Sequence, residues 1–564
     1  MDFKFLLLTP LSLSLVACGG PARYPLKAPM TRDADDKPFS PAPREYESPF
    51  AWDGANQIVF RPISRFFAID PAGHATDVNA YDEVPDSSWF TNRIGKKPMT
   101  ANDLERGACD DKVLDPEKAK DGEWVIDQGK SNGANPGFRV NIPGLGKFML
   151  KSDPQPEPDR TTGATAIAAR LYYASGYFAP CDSVVYFKPS LLKLKPGLKV
   201  TDNSGVTKPF DQAALAKILE RASHRDGLVR MVASKWLPGK TIGPYTYEGT
   251  RGDDPNDVVP HEDRRELRGA RLLAAWTNHF DTREQNTMDT FLSADSKNPK
   301  LPGYVRHYII DLGDCFGSIW DWDPITKRLG FAYYLDPPYV AEDFVTFGTQ
   351  ERPWDHAERT GGIFNYFSAR DFDPELWRGG YPNPAFGRMT EADGAWMARI
   401  LARFDDDLVR AAVSVGKYTK EDSRYLSETL IVRRDAILRR YLTHLSPIAD
   451  VHLEGESICG TDLARKTHVV PDEQRSFEAK AYAGADLHPS FRLETQAVPG
   501  GNVCVPLAHL TLAPGLADDD PLRYFIVDVT NGYSRGPLRV FLYDLGARGF
   551  RIAGIERPDD TSRP

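Results

Sequence analysis

Two neighbouring segments of the chain carry polar residues of the types and spacing that phosphoryl transfer requires. The first, HFDTREQNTMDTF, sets His279, Asp281 and Asn286 in the pattern H-x-D-x-x-x-x-N. The second, YVRHYIIDLGDCFGS, is an apolar run that ends at Asp311, which is followed by Leu-Gly. Phosphoryl transfer needs a carboxylate that orients the attacking hydroxyl and oxygen ligands that hold Mg²⁺ between the phosphates. Neither motif is specific alone, so their order along the chain matters more than either one.

A cation for the nucleotide phosphates is offered further upstream. Lys151 ends the strand-like stretch Phe148-Met-Leu-Lys, where the alternation of a strand directs its amine back under the preceding hairpin. That hairpin is rich in turn residues and contains Gly129, Gly133 and Gly137. The candidate nucleotide-binding residues are therefore Lys151, Gly133 and Gly137. The alternative is that Lys151 is an ordinary surface lysine.

The residues around these motifs predict the elements that must position them. Three short β-branched and aromatic runs, separated by Gly, Asn and Pro, predict an antiparallel meander. Apolar residues at helical spacing predict a helix that Gly176 ends, and a second helix directly before Asp281. The predicted elements are strands at 124–126, 138–140, 148–151, 184–187 and 229–236, and helices at 161–174 and 264–280.

The remainder of the chain changes character twice. Beyond residue 340 the pattern is mostly helical, and Thr390 with Asp393 predicts a capping box at the start of one helix. From about residue 447 apolar and polar residues alternate between turn residues, in FRLETQAV, LAHLTLA, RYFIVDVTN, LRVFLYDL and FRIAGIERP. This alternation predicts strands and an all-β domain of the sandwich type.

The order of hairpin, strand lysine, helix, H-x-D-x-x-x-x-N loop and Asp-x-Gly resembles the atypical protein-kinase-like family. Its relatives include the phosphatidylinositol-type, persistence-toxin and spore-coat kinases. SKWLPGKTIGPYTYEGTRGDDPNDVVPHEDRRELRGARLLAAWTNHFD, YVRHYIIDLGDCFGS and DEVPDSSWFTNR are also similar to uncharacterised exported bacterial proteins. The resemblance covers about residues 80–445. It implies ATP and Mg²⁺, with Asp281 as the catalytic base, Lys151 as the phosphate clamp, and Asn286 and Asp311 as metal ligands.

The fold that this resemblance implies is α+β. A bilobal kinase-like unit, with a β-rich N-lobe and a helical C-lobe, would be followed by the C-terminal all-β, sandwich-like domain. The predicted segments are a signal peptide (1–18), a Pro-rich tether (19–50), the N-lobe (51–245), the C-lobe (246–446) and the C-terminal β domain (447–564).

Two departures from the kinase pattern leave the activity open. A kinase lysine is usually held by a glutamate on the following helix, but TTGATAIAARLYYA contains no acid, so Glu157 or Asp159 would have to substitute. The spacing from Asn286 to Asp311 is also longer than in protein kinases, and we expect residues 293–303 to form an inserted hairpin tip. Asp314 is either a second metal ligand or a solvated loop acid.

The sequence therefore leaves two functions open. The first is an ATP- and Mg²⁺-dependent phosphotransferase that acts on a protein or small hydroxyl-bearing substrate. Its weak point is that ATP is scarce beyond the inner membrane. The second is a catalytically inactive kinase-like lipoprotein that serves as a binding or scaffold protein, which the missing helix acid and the appended β domain favour.

The N-terminus, MDFKFLLLTPLSLSLVACGG, carries an apolar run too short to span a bilayer. Its end, Leu15-Val-Ala-Cys18, resembles a bacterial lipobox, which implies lipidation of Cys18 and attachment to a membrane. Gly19 resembles the pattern of lipoproteins sent to the outer membrane, so we expect an envelope protein that faces the periplasm or the surface. The alternative is an ordinary signal peptide with a chance cysteine.

Composition excludes some partners and allows disulfides. The chain has 564 residues, 41% hydrophobic and 26% charged, with a net charge of −9 and no basic stripe, so nucleic acid is not an expected partner. Export permits disulfides. Five of the six cysteines follow Cys18, so at least one stays free, and Cys459 with Cys504 is the predicted pair.

Overall fold

The structure, a computed structural model of the chain, describes the greater part of the sequence. Cys18 and Gly133 lie outside the described residues, so their predicted roles stay predictions. The described residues are 24, 26, 35–47, 49–69, 73–109, 114–130, 135–153, 158–201, 206–317, 322–471, 477–484 and 487–564.

The first part of the chain is helical at its start and then forms a sheet. Its helices are α1 (Phe50–Ala55), a π-helical turn (Asn56–Phe60), α2 (Arg61–Phe67), α3 (Ala101–Arg106), α4 (Arg160–Ser175) and α5 (Gln212–Arg221). Its strands are β1 (Trp124–Gly129), β2 (Gly137–Ile142), β3 (Gly146–Lys151), β4 (Asp182–Phe187), β5 (Leu192–Leu194), β6 (Lys199–Thr201), β7 (Thr207–Pro209), β8 (His224–Arg225), β9 (Leu228–Lys235) and β10 (Lys240–Gly243). The main sheet has the order β4-β9-β3-β2-β1-β5, and β1, β2, β3, β9 and β4 pair antiparallel.

The alternation of β3 decides where its lysine points. Phe148 and Leu150 are buried in an apolar core on one face of the sheet, so Met149 and Lys151 lie on the opposite face. Helix α4 follows, and nearly all of its residues are buried. Its small residues allow close packing, because a side chain at Gly163 would lie 2.3 Å from the Tyr418 ring. The predicted strands and the 161–174 helix are thus confirmed.

The middle of the chain is mostly helical around one short sheet. Its helices are α6 (Arg265–Thr277), α7 (Asp323–Thr326), α8 (Pro337–Thr346), α9 (Pro384–Gly387), α10 (Glu391–Leu401), α11 (Asp406–Ser414) and α12 (Lys420–Tyr441). The strands β11 (Thr287–Ser293) and β12 (Gly303–Ile309) form a hairpin beside β10. Ser293 pairs with Gly303, so the predicted hairpin tip is confirmed. The capping box of Thr390 and Asp393 is confirmed as well.

The last part of the chain consists mainly of strands, which makes the whole structure mixed α+β, as predicted. Its elements are β13 (Ile448–Glu454), β14 (Ser457–Asp462), α13 (Leu463–Lys466), β15 (Glu478–Tyr482), β16 (Ser490–Leu493), β17 (Gln496–Val498), β18 (Asn502–Pro506), β19 (Tyr524–Thr530), β20 (Leu538–Asp544) and β21 (Phe550–Glu556). They form two sheets, β13-β14-β18-β17 and β16-β15-β19-β20-β21, whose buried apolar residues share one cluster.

One predicted strand in this region is wrong. LAHLTLA, residues 507–513, is irregular despite its alternating pattern. Its polar groups bind side chains instead of a neighbouring strand: the Leu510 N–H donates to the Asp544 carboxylate at 2.7 Å, and the His509 ring contacts Asp544 and Glu456. Side-chain partners of this kind compete with sheet pairing.

The cysteines confirm one prediction and add a bond that the sequence did not indicate. Cys459 and Cys504 form the predicted disulfide and stand opposite each other on β14 and β18. Cys109, after α3, is bonded to Cys181, which precedes β4. Cys315 is a free, buried cysteine.

Part of the predicted Pro-rich tether is docked against the protein. The Asp35 carboxylate accepts a 2.8 Å hydrogen bond from the Ser88 N–H, and Ser40 exchanges two backbone hydrogen bonds with Gly303. Tyr24 donates to Glu556 in the last strand. Residues 35–47 contain no helix or multi-residue strand, as the composition predicts, but these contacts hold the segment in place.

Candidate active site

Lys151 and Asp311 meet across the space between the first sheet and the helical region. Lys151 Nζ lies 2.7 Å from Asp311 Oδ1. Asp311 follows β12 in a left-handed conformation, with φ 57°, and opens a 3-10 helix at Leu312–Asp314. That short helix packs on α4, where a side chain at Gly313 would lie 2.6 Å from Thr161. The Asp311 side chain is 54% exposed and Lys151 17%, so the carboxylate is open to solvent. The space around this pair, between the first sheet and the helical region, is called the cleft below.

The ion pair shifts both groups towards their charged forms. The Lys151 ammonium lowers the pKa of Asp311 to about 2, against the opposing effect of its crowded surroundings. Burial alone would lower the pKa of Lys151, but the Asp311 carboxylate outweighs it and raises that pKa. An ionised carboxylate beside a fixed cation is therefore present at neutral pH.

Asp281 and Asn286 lie on the loop after α6 and join the same cleft. The Asn286 amide donates to the Asp281 backbone carbonyl at 2.7 Å, which closes the loop. The Ile310 N–H donates to the Asn286 carbonyl at 2.9 Å and ties this loop to the residue before Asp311. The Asp281 carboxylate lies 3.2 Å from the Arg283 guanidinium. Lys151, Asp281, Asn286 and Asp311 thus converge, although they are far apart in the sequence.

Asp314 adds a third carboxylate to this group. Burial is the main cause of its raised pKa, and the neighbouring charges of Asp281 and Asp311 add to it. Burial also raises the pKa of Asp281. Three ionised carboxylates at one site repel one another, and a divalent cation with oxygen ligands relieves such repulsion. Carboxylate and amide oxygens are the ligand types that Mg²⁺ prefers, so the chemistry of Asp281, Asp311, Asp314 and Asn286 suits this ion. The ligand oxygens of the three carboxylates do not all lie within 4.8 Å of one another, so they would have to move closer together to share one ion.

The hairpin brings a second lysine that the sequence analysis missed. Lys130, at the end of β1, donates to the Asn135 carbonyl at 2.7 Å. Burial, followed by the repulsion of Lys151, lowers the pKa of Lys130 to about 8. Its position just before the glycine-rich turn was the available signal. Gly137 is buried, and a side chain there would lie 2.3 Å from the Leu150 carbonyl oxygen, so only glycine fits.

The acid that supports Lys151 comes from a strand and not from a helix. Asp182, the first residue of β4, is 2% exposed, accepts a hydrogen bond from the Ser234 hydroxyl and attracts Lys151. The expectation that Asp159 would substitute for a helix acid is wrong. Asp159 instead binds Arg225 at 3.0 Å and Arg230 at 3.3 Å. Glu157 lies outside the described residues.

Asp182 predicts a pH dependence of stability. Burial raises its pKa to about 6, whereas an unfolded aspartate titrates near pH 4. The folded state therefore binds more protons between these values, and its free energy of unfolding falls as pH rises through them. Asp182→Asn lacks this effect, so we expect the stability of the wild type relative to the variant to decline by about 2 to 3 kcal/mol from pH 4 to pH 7.

Urea unfolding of both proteins across this pH range measures the effect. Asp226→Asn, which changes an exposed aspartate, is the matched control and is expected to follow the wild type at every pH. If the Asp182→Asn and wild-type profiles run parallel, Asp182 does not titrate as its burial requires.

His279 is a packing residue in this structure. Its Nδ1 atom lies 2.9 Å from the Tyr172 hydroxyl, and the ring is 2% exposed. Burial lowers the pKa of His279 to about 4, so the ring is neutral at physiological pH. The contact with Tyr172 and the burial of the ring show that His279 packs beneath the loop.

A separate cavity of about 550 Å³ lies beside Asn278, which precedes the same loop. Asn278 and Tyr381 form its border with the loop, and Arg271, Arg433 and Arg440 line its interior. Lys151, Asp281 and Asp311 do not line it, so the cavity is distinct from the cleft that holds the converging residues.

Comparison with known proteins identified no relative of this chain. No protein-family model, curated protein or solved structure matches the chain. Over the described part of the chain, none of the helices has the length and apolar character needed to cross a membrane.

Proposed function

We propose that the chain is an atypical, kinase-like phosphotransferase of the bacterial cell envelope that uses ATP and Mg²⁺ to phosphorylate a hydroxyl group. The observation that carries this proposal is the convergence of Lys151, Asp281, Asn286 and Asp311 on one cleft. These residues come from three separate parts of the chain, the end of β3, the loop after α6 and the end of β12, and each has the chemistry that the reaction requires.

Each residue has a distinct role in this proposal. Lys151 binds nucleotide phosphate, with Lys130 as a second cation from the hairpin. Asn286 and Asp311 would hold Mg²⁺, and Asp314 would assist them. Bound Mg²⁺ would neutralise the charge that develops on the phosphates. Asp281 accepts the proton of the substrate hydroxyl, and its raised pKa brings it closer to neutral pH than an exposed aspartate.

The order of elements supports a bilobal, kinase-like arrangement. A glycine-containing hairpin leads to a strand lysine, then to α4, β4 and β9, and finally to the loop and hairpin that carry Asp281 and Asp311. The two sheets after residue 447 share one apolar cluster, which supports a sandwich-like C-terminal domain.

The envelope location belongs to the same proposal. A lipid on Cys18 would attach the chain to the outer membrane, with the protein in the periplasm or at the surface. The disulfides Cys109–Cys181 and Cys459–Cys504 support an oxidising compartment, because such bonds are rare in the cytosol.

A second candidate function is a kinase-like binding or scaffold protein without turnover. One observation favours it: α4 supplies no acid to Lys151, although protein kinases hold this lysine through their corresponding helix. In that case the β domain would be the natural place for recognition of a partner.

The decisive experiment is calorimetric titration of ATP into the protein with Mg²⁺ and with EDTA. We expect Mg²⁺-dependent binding that Lys151→Met weakens by about 10- to 100-fold, the loss expected for one hydrogen bond to a charged group. Lys147→Met is the matched control, because Lys147 is exposed on the same strand. Absence of ATP binding in the wild type, or equal binding by Lys151→Met, would favour the scaffold function.

A further inference from the structure

The helical segment from α1 to α2 packs on the protein with its polar side. Polar residues recur every fourth position along its inner face, and each has a charged partner on the protein. These pairs are Asp53 with Arg283 (3.4 Å), Gln57 with Glu284 (3.3 Å), Arg61 with Glu284 (3.0 Å) and Arg65 with Glu248 (3.9 Å).

The outer face of the same segment is apolar and exposed. Phe67 is 77% exposed, and the face also includes Trp52, Phe60, Ile63 and Phe66. A helix on the surface of a soluble protein normally buries its apolar side and turns its polar side to water. This segment does the reverse, so its outer face requires an apolar environment that the described chain does not supply.

Helix α8 extends this surface. It lies against α2, and none of its residues is buried. Phe344 and Val345 are exposed, and Phe347, directly after the helix, is 93% exposed. The acidic residues Glu342 and Asp343 bind Arg352 and leave the apolar side chains uncovered. The outer side of 52–69 together with 340–347 is called the apolar face below.

We infer that the apolar face docks on the surface of a lipid bilayer. Phe66, Phe67, Phe344 and Phe347 are all exposed on this face. A helical surface with exposed aromatic side chains on one side and polar contacts on the other suits insertion into the headgroup and acyl boundary of a bilayer. Aromatic residues are also the preferred anchors at this boundary.

The position of the N-terminus favours a bilayer as the occupant. The chain from Cys18 to Tyr24 reaches at most about 20 Å when fully extended, and Tyr24 is fixed on the last strands through Glu556 and Tyr543. A lipid on Cys18, which is part of the proposed function, would therefore hold the protein close to the bilayer. At such an effective concentration even modest insertion is favoured.

Docking in this way would orient the candidate active site. Arg283 lies 3.4 Å from Asp53 on the helical segment and 3.2 Å from Asp281 in the cleft. A bilayer on the apolar face would thus lie beside the catalytic loop, and the site would meet hydroxyl groups presented at the membrane surface.

Vesicle flotation of residues 19–564 tests this inference without the lipid, since that chain contains every described residue but lacks Cys18. Phosphatidylcholine vesicles and vesicles with added phosphatidylglycerol separate apolar insertion from attraction to charge. We expect binding to both. The double variant Phe66→Ser, Phe67→Ser should lose at least about tenfold in binding, and so should Phe344→Ser, Phe347→Ser. Val498→Ser, Leu522→Ser, at exposed positions of the C-terminal strands and loops, should bind as the wild type does.

Three results would overturn the inference: a wild type that does not float, binding only to anionic vesicles, or equal binding by both Phe variants and the control. A wild-type dimer that either variant abolishes in sedimentation would instead identify a protein interface. Thermal unfolding shows whether each variant is folded. Because the two double Phe variants change different parts of the apolar face, the test still works if one of them does not fold. The Asp281→Asn protein should bind vesicles as the wild type does, because this substitution does not change the apolar face. Failure of membrane docking can therefore be distinguished from failure of the proposed phosphotransfer.

Discussion

Asp311→Asn is expected to lower Mg²⁺-dependent phosphoryl transfer by at least about a hundredfold, a loss typical of removing a charged stabiliser of the transition state. Asparagine keeps the shape of the side chain but removes the charge that faces both the cation and Lys151. The Lys151 ammonium, 2.7 Å from Asp311, lowers the pKa of this carboxyl to about 2, so the wild-type group is ionised throughout the neutral range. Initial rates at increasing Mg²⁺ concentration measure the change.

The control for this variant is Asp295→Asn, because Asp295 is exposed at the tip of the β11–β12 hairpin. It should leave the rate unchanged. Asp311 is itself half exposed, so the midpoint of thermal unfolding should move little and loss of folding would not explain loss of activity. An Asp311→Asn protein with the Mg²⁺ dependence of the wild type would contradict its assignment as a metal ligand.

Asp281→Asn is expected to reduce transfer by about 10²- to 10⁴-fold while ATP binding changes only a few fold, as expected for loss of a general base. The loop should keep its shape, because the Asn286 amide can still donate to the backbone carbonyl of residue 281, as it does at 2.7 Å in the wild type. Single-turnover rates and calorimetric titration with ATP, made on the same preparation, separate chemistry from binding.

Two outcomes of this second experiment would be informative against the assignment. If Asp281→Asn loses ATP binding as strongly as Lys151→Met, residue 281 holds the metal ion or the loop and is not the base. If transfer persists at the wild-type rate, another group accepts the proton, and Asp314 is the nearest carboxyl available.

Local sequence patterns were sufficient for the elements that carry the site. The alternation in Phe148-Met-Leu-Lys placed Lys151 on the face opposite the core, and the helical periodicity before Asp281 correctly predicted α6. The long spacing from Asn286 to Asp311 correctly predicted a hairpin tip at residues 293–303. For the strand and the helix, a period of two or of 3.6 residues reflects one buried face.

Features that depend on contacts between distant segments could not be predicted from the sequence. Asp182 supports Lys151 only because β9 brings the start of β4 close to the end of β3. Lys130 lies near Lys151 and Asp311 because β1, β2 and β3 pair side by side in the sheet. The Cys109–Cys181 bond and the docking of Ser40 on Gly303 also join segments that are far apart in the sequence. No local sequence pattern indicates which distant surface a loop will contact.

The most direct test of the proposed function is a crystal structure of the protein with Mn²⁺ and a non-hydrolysable ATP analogue. Anomalous scattering should locate Mn²⁺ beside Asn286 and Asp311, with the phosphates of the analogue at Lys151. An occupied site elsewhere, such as the cavity bordered by Asn278 and Tyr381, or a cleft that holds neither metal nor nucleotide at saturating concentrations, would contradict a phosphotransferase at this cleft.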